Sequence, residues 1–479
     1  MQTIHFGTDG VRETAGIWPM DILGAQRIGM GVGRYLMENN SNPRVLIGRD
    51  TRISGDMLAS AISAGLLSYG VDVVDAGVIT TAGVATLTRK HGFNLGVVIS
   101  ASHNPWTENG VKLVGSDGFK FKDELEAKVE GYINEARPSE IQKFGTLTLD
   151  GNLVEDYVQY LIAPFDPALF SRLRLVMDCS NGAASAIAPR CFELLGAKVH
   201  VMNNQPDGTN INNNAGSEVV RAGRSKLPQL IRETGAHFGA AFDGDADRAV
   251  FLDESGALVD GDHVLYLLGK HLNEKGHLSG GMIVTTEMAN AGLEKALSPD
   301  GIQVKYTKVG DKYVVREMLE HGYRVGGEQS GHIIILDDDH TTGDGIYTAL
   351  YVAQVLLQKP EVSLRAATQG MVKFPQVIAS AKVTAKPKLD ELAPFLQARD
   401  GVNEELEGKA VINTRYSGTE PLFRVMIQSE TGHTMEDIAR LAIRLCRAVQ
   451  SATGDANAHI DVKDCTTGAS IDVTGGDAS

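Results

Sequence analysis

One outline recurs three times along this chain: a β-branched run, a turn of small or polar residues, an amphipathic helical stretch, a glycine and a second β-branched run. The copies are RVLIGRDTRISGDMLASAISAGLLSYGVDVVDAG from 44, LRLVMDCSNGAASAIAPRCFELLGAKVHVMN from 173 and GMIVTTEMANAGLEKALSPDGIQVKYTKVG from 281. A helix between two such runs lets the strands lie side by side in parallel, so each copy reads as a βαβ unit. Three units at irregular spacing predict three related α/β domains, with one large doubly wound sheet as the alternative. From 373 the order changes to mixed strands and helices (KFPQVIASAKVTAKPKLDELAPFLQAR, KAVINTRYSGTEPLFRVMIQSE, TMEDIARLAIRLCRAVQSA), which predicts a smaller α+β domain. The Gly-, Asp-, Thr- and Ser-rich stretch after 452 is expected to be mobile. The expected division is 1–153, 154–255, 256–370 and 371–452, with a tail over 453–479.

Polar clusters fall where the predicted strands end, and in open α/β sheets that is where ligands bind. In VVISASHNPWTENGVK, from 97, an apolar strand gives way to two serines, a histidine, an asparagine and a proline, which cannot fill a core. A serine hydroxyl needs a base or a charge-stabilising neighbourhood to react, and His103 and Lys112 are close in sequence. A hydrogen-bonded turn is the plain alternative. In FDGDADRAVFLD, from 242, Asp243, Asp245 and Asp247 alternate, so in extended chain their carboxylates point the same way and converge on one hard cation, Mg²⁺ or Ca²⁺. The EF-hand reading fails at the sixth loop position, where Arg248 stands in place of the needed glycine, and the flanks are strand-like rather than helical. Arg248 offsets part of the negative charge.

Two further runs have the same placement. In VGGEQSGHIIIL, from 325, Gly326 and Gly327 permit close backbone approach, while Glu328, Ser330 and His332 offer acceptors and donors suited to hydroxyl groups. A tight polar turn explains that run equally well. In TRYSGTEPLFR, from 414, Arg415, Ser417, Gly418, Thr419 and Arg424 supply guanidinium forks, hydroxyls and flexible backbone, the ingredients of a phosphate cradle.

Any phosphate binding must come from such local arrangements, because the 479 residues carry a net charge of −15. That charge argues against nucleic acid or an anionic membrane as partner. No apolar run approaches the roughly 20 residues that span a bilayer, and MQTIHFGTDG lacks the regions of a signal peptide, so a cytoplasmic location is expected. Cys179, Cys191, Cys446 and Cys465 form no CxxC pair and read as buried or incidental thiols.

Taken in order, FGTDGVR at 6, SASHNP at 100, DGDADR at 243, GEQSGH at 327 and RYSGTEP at 415 resemble the motifs of the α-D-phosphohexomutases over nearly the whole chain. PDGTNIN at 206, VDGDHVLYLL at 259, TKVGDKYV at 307 and TTGDGI at 341 are similar to the glucosamine branch of that family, as is Gln329 within GEQSGH. The resemblance implies four domains around a central cleft, each giving one loop to the active site. It implies that Ser102 carries a phosphoryl group and that one Mg²⁺ is held by that phosphate with Asp243, Asp245 and Asp247. The expected reaction interconverts glucosamine 6-phosphate and glucosamine 1-phosphate through glucosamine 1,6-bisphosphate, feeding amino-sugar nucleotide and cell-wall precursor synthesis. Lys112 is expected as the base, helped by Arg12, with His103 beside the serine. Arg248, Lys308, Glu328, Ser330, His332, Arg415, Ser417, Gly418, Thr419 and Arg424 are expected to hold the substrate. Arg12 is followed by Glu13, where the family commonly has glycine. A phosphomannomutase or phosphoglucomutase on the same scaffold is the rival reading, and a non-catalytic sugar-phosphate sensor a distant one. Monomer and homodimer both remain open.

Overall fold

In the computed structural model, residues 2–7, 10–137, 143–337, 340–359, 363–417, 421–430, 432–456 and 458–473 are described. Each of the three repeated units folds as a parallel strand pair around a helix. The first sheet holds β1 (Val11–Thr14), β2 (Arg44–Arg49), β3 (Asp72–Val78), β4 (Leu95–Ile99), β5 (Glu108–Gly115) and β6 (Leu147–Leu149), in the order β1-β5-β4-β2-β3-β6. The second holds β7 (Arg174–Asp178), β8 (Lys198–Met202), β9 (Phe238–Phe242), β10 (Ala249–Leu252) and β11 (Leu258–Val259), in the order β11-β10-β9-β7-β8. The third holds β12 (Met282–Thr286), β13 (Gln303–Thr307), β14 (Val325–Gly327) and β15 (Ile333–Ile335), in the order β13-β12-β14-β15. The pairs β2/β3, β7/β8 and β12/β13 are parallel, as βαβ connection requires. The fourth sheet is antiparallel throughout: β16 (Gln376–Lys382), β17 (Ala410–Tyr416), β18 (Leu422–Ser429) and β19 (Ile460–Asp464), in the order β17-β18-β16-β19.

A second regularity concerns function. In each of the first three sheets a parallel strand is followed by an antiparallel one: β4 by β5, β9 by β10, β14 by β15. The turn of each pair carries one of the polar runs, and the β17/β18 hairpin carries the fourth. Reversal at a strand's carboxyl end exposes a short polar turn there instead of a long crossover, which suits a loop that must be placed accurately.

Cores divide the molecule unevenly. One buried apolar cluster runs from Leu46 and Tyr157 through Phe192, Phe238 and Leu268 to Met371, joining one face of the first sheet to the second and third. The fourth sheet packs its own cluster, from Val377 through Phe423 to Val462, under helix Met435–Thr453. The four cysteines are buried free thiols.

Helix Asn152–Ile162, whose buried Leu153, Tyr157 and Leu161 make it one packed unit, spans the expected boundary at 153/154. One expectation needs correction. The stretch after 452 is not wholly a loose tail, because β19 pairs with β16, Val462 opposite Ala379 and Ile460 opposite Ala381. Ile460 and Val462 alternate with the ion pair of Asp461 and Lys463, so one side covers the core and the other faces water. The strand also covers a sheet edge that would otherwise be unpaired. Positions 474–479 of the expected tail lie outside the described residues.

Candidate active site

The β9–β10 turn brings its three aspartates together. Phe242 pairs with Ala249, leaving Asp243–Arg248 as the turn, and Ala246 takes a left-handed conformation (φ 57°) within it. Asp243, Asp245 and Asp247 are 0%, 1% and 4% exposed, and their ligating oxygens lie within 4.8 Å of one another. The Oδ1 atoms of Asp245 and Asp247 are buried without a hydrogen-bond donor. Three buried carboxylates with open lone pairs are costly alone and fit a hard divalent cation.

Cations of the protein ring the cluster. Lys112 Nζ donates to Asp245 Oδ2 at 3.0 Å and lies 3.8 Å from Asp247. Arg248 Nε stands 3.8 Å from Asp247 Oδ1, and its backbone N–H donates to Asp243 Oδ1 at 3.2 Å. His332 Nδ1 lies 3.6 Å from Asp247 Oδ2. The three carboxyls consequently differ. Burial, reinforced by Asp247 and Asp245, pushes Asp243 well above the usual carboxylate range. At Asp245 burial is outweighed mainly by Lys112 and Thr81, and at Asp247 by His332, Lys112 and Arg248, so both stay below it.

Ser102 occupies the β4–β5 turn in a left-handed conformation (φ 52°). Its Oγ donates to Asp243 Oδ2 at 2.6 Å and lies 3.3 Å from His103 Nδ1. Burial, then the charges of Arg248 and Arg12, push His103 down to about 4. The residue as a whole remains exposed, so water screens part of that shift. Arg12 on β1 stands opposite Gly110 on β5, two places from Lys112, which puts the arginine and the lysine on one face. Gly110 makes this possible, since a Cβ there would lie 2.7 Å from Ser100 O and 2.9 Å from Arg12 Cγ. Glu13 falls on the opposite face, where its carboxylate is exposed and accepts from Thr14 N–H at 2.8 Å. The acid therefore does not confront the site.

The β14–β15 turn contributes unequally. His332 has both ring nitrogens facing carboxylates, with Nε2 3.6 Å from Asp311 Oδ2. The buried ring serves the aspartate cluster. Glu328 and Ser330 are half-buried; Glu328 adds negative potential at Arg248, and Ser330 Oγ has no hydrogen-bond partner. Gln329 turns inward, its amide donating to Asp262 Oδ2 at 3.0 Å and to Gln376 Oε1 at 3.1 Å. Its side chain is buried in those contacts. TTGDGI lies behind the aspartate turn: Gly345 N–H donates to Ala246 O at 2.9 Å, and a Cβ on Gly345 would lie 2.5 Å from Arg248 O.

The remaining expected residues form a second group. Arg415 and Arg424 face each other across β17 and β18, and burial with the Arg424 charge lowers the proton affinity of Arg415, against the pull of Glu287. Glu287 N–H donates to Thr307 O at 2.9 Å, which brings the exposed Lys308 to the same region. Ser417 N–H closes the turn on Leu422 O at 2.8 Å. Gly418 and Thr419 lie outside the described residues.

Sequence reasoning passed over Thr81. It is the first residue of helix Thr81–Lys90, and its Oγ1 donates to Asp245 Oδ2 at 2.6 Å and its N–H to Asp245 O at 3.1 Å. Only the adjacent cap, Thr80 to Gly83 N–H, was visible as a local signal.

Comparison with known proteins follows this geometry. Four descriptions of phosphoglucomutase/phosphomannomutase match: alpha/beta/alpha domain I at 3–140, domain II at 155–256, domain III at 260–374 and the C-terminal domain at 379–444. The chain is 45% identical over 455 residues to a phosphoglucosamine mutase of Caldicellulosiruptor saccharolyticus, covering 93% of this chain and 98% of that one. It is 41% identical over 460 residues to a phosphoglucosamine mutase of Staphylococcus aureus, covering 94% and 99%. Among solved structures, a phosphoglucomutase/phosphomannomutase family protein of Burkholderia thailandensis superposes with a TM-score of 0.76 at 22% identity, covering 94% and 98%. The Aspergillus fumigatus N-acetylphosphoglucosamine mutase, solved with GlcNAc-6P and magnesium, superposes with a TM-score of 0.64 at 18% identity, covering 94% and 96%.

Proposed function

This chain belongs to the phosphoglucomutase/phosphomannomutase family of the α-D-phosphohexomutase superfamily, and from that premise we propose that it interconverts glucosamine 6-phosphate and glucosamine 1-phosphate, with Ser102 as the phosphoryl carrier. The observation that carries this reading is the seat of Ser102 Oγ, 2.6 Å from Asp243 in a buried triad with two open carboxylate oxygens. The choice of sugar rests on the relatives at 41–45% identity, which are named phosphoglucosamine mutases.

Asp243, Asp245 and Asp247, with a phosphoryl oxygen on Ser102, would hold Mg²⁺, which when bound neutralises charge on the transferring group. The chain's own residues supply the rest. As the bond between phosphorus and Ser102 Oγ breaks, a bond forms to the sugar hydroxyl oxygen, and the hydroxyl proton passes to the Lys112 amine. The proton is returned to the departing Ser102 Oγ, which ends as the hydroxyl that donates to Asp243, the arrangement seen here. The resulting glucosamine 1,6-bisphosphate turns over in the cleft, and Ser102 takes back the other phosphoryl group. To act as base, Lys112 gives up its contact with Asp245, one of the carboxylates that would hold the cation. Arg12 and Arg248 add positive charge where the transferred oxygens gather, while Arg415 and Arg424 are placed to grip the phosphate that is not transferred.

A coupled assay across glucosamine, glucose and mannose 6-phosphates tests the reading. The highest kcat/KM is expected for the glucosamine compound. Preference for glucose or mannose would assign the chain to the rival activity, and a folded protein that turns over none of them would mark it as a sensor.

A further inference from the structure

Arg52 takes no part in the reaction as described, yet its side chain is fully buried and fully engaged. Nε donates to Asp50 Oδ2 at 2.8 Å. Nη2 donates to the carbonyls of Ser102 at 2.9 Å and Asn104 at 2.8 Å, and Nη1 to those of Glu108 at 2.9 Å and Pro105. Four carbonyls of one turn thus converge on one guanidinium. A second donor reaches two of them from the second domain: Asn212 Nδ2 donates to Ser102 O at 2.8 Å and to Asn104 O at 3.0 Å. The amide side of Ser102 is held as well, because its N–H donates to Ser100 Oγ at 2.9 Å, and Ser100 Oγ donates to Asp50 Oδ2 at 2.6 Å.

The turn needs such support. Ser102 has φ 52°, a conformation that side chains other than glycine adopt only where the surroundings over-determine it. The carbonyls that this turn directs inward at the buried Arg52 also need donors, and a planar fork of five N–H groups meets several at once where an ammonium cannot. Close packing seals the arrangement, since a Cβ on Gly244 would lie 2.4 Å from Ser102 O.

We infer that Arg52 and Asn212 are positioning residues for phosphoryl transfer: they hold the Ser102 carbonyl from two domains at once, and thereby keep Oγ on its seat at Asp243. The inference rests on the reading of Ser102 as phosphoryl carrier. Because neither side chain touches the sugar in this scheme, loosening either one slows the chemical step without weakening the grip on substrate.

The test compares full-length Arg52→Lys and Asn212→Ala with Ser102→Ala, measuring kcat, KM and melting temperature for glucosamine 6-phosphate. Arg52→Lys is expected to lower kcat about 100-fold and Asn212→Ala about 10-fold, with KM changed less than about threefold, as befits a misplaced donor. Single-turnover transfer from the phosphorylated enzyme should slow by the same factors. A role confined to stability would lower the melting temperature and leave kcat intact below it; that result, or a loss carried in KM, overturns the inference. If Arg52→Lys does not fold, Asn212→Ala decides alone, since it donates to the same carbonyl. A fully active Ser102→Ala would instead bring down the carrier reading, whereas an inactive Ser102→Ala beside unchanged kcat in Asn212→Ala would remove only the positioning roles.

Discussion

The aspartate turn of the second sheet and the arginine turn of the fourth both gather like charges, but by different means. Asp243, Asp245 and Asp247 are buried and are tied down by parts of three domains: Thr81 from the first, Arg248 beside them, His332 and Gly345 from the third. Arg415 and Arg424 are half-buried on a hairpin whose apolar core is separate from the rest. Polar contacts join that sheet to the third domain, such as Gln376 Nε2 to Met288 O at 2.9 Å and Ala291 N–H to Gln428 Oε1 at 3.1 Å. Buried carboxylates held from several sides suit a reaction centre, where geometry must be preset. A separately packed, hydrogen-bonded module suits a grip that must release a bisphosphate and take it again the other way round.

The largest expected effect lies at the preset centre. Ser102→Ala should lower turnover by about a thousandfold or more while leaving the fold intact, because it removes the proposed phosphoryl carrier. Intact-mass analysis of active protein should show a phosphate on Ser102, and an alanine variant with full activity would break the comparison at its rigid end. Next comes the metal. Asp245→Asn should weaken Mg²⁺ binding about 10- to 100-fold in calorimetric titration without unfolding the protein. Chelator should abolish activity and Mg²⁺ restore it, while Ca²⁺ should bind yet support little turnover, its coordination being larger and looser. Equal rates with both ions would count against the site.

At the arginine turn the effects are smaller and of another kind. Arg415→Ala should lower kcat/KM for every hexose phosphate alike, by about 2–3 kcal/mol, through loss of a charge-assisted contact. Changes at Glu328 or Ser330 should instead alter the ranking among sugars. The reverse pattern would show that the roles of the two loops are exchanged. The smallest effect sharpens the contrast most: like charges on facing strand positions repel, so in phosphate-free buffer Arg415→Ala should stabilise the protein by about 0.5 kcal/mol. Added phosphate should cancel that gain in a denaturant titration, and a variant destabilised in both buffers would mean that the arginines are structural.

Much of the fold was legible because its signals are periodic. The three parallel pairs follow from β-branched runs flanking helices with glycine after them, and the antiparallel fourth sheet from the changed order after 373. β19 escaped notice because Ile460 and Val462 are two apolar residues in a polar stretch, too few to mark a strand until β16 offers them an edge. At the site, Asp243, Asp245 and Asp247 were legible from alternation alone. The direction of Gln329 was not legible: a polar residue in a polar turn has no pattern to say which way it faces, and here burial against Asp262 and Gln376 decided.

The three βαβ units, the placement of four polar turns at strand ends and the identity of the aspartate cluster were determined by the sequence itself, since each depends on residues near one another along the chain. Tertiary structure alone decided what surrounds them. Thr81 meets Asp245 across 164 positions, Asn212 meets Ser102 across 110, and Lys112 meets Asp245 across 133. No local spacing encodes such pairs. They arise where separately folded sheets are packed so that their reversing turns share one buried volume, and there every charge and carbonyl withdrawn from water must find its partner on another domain.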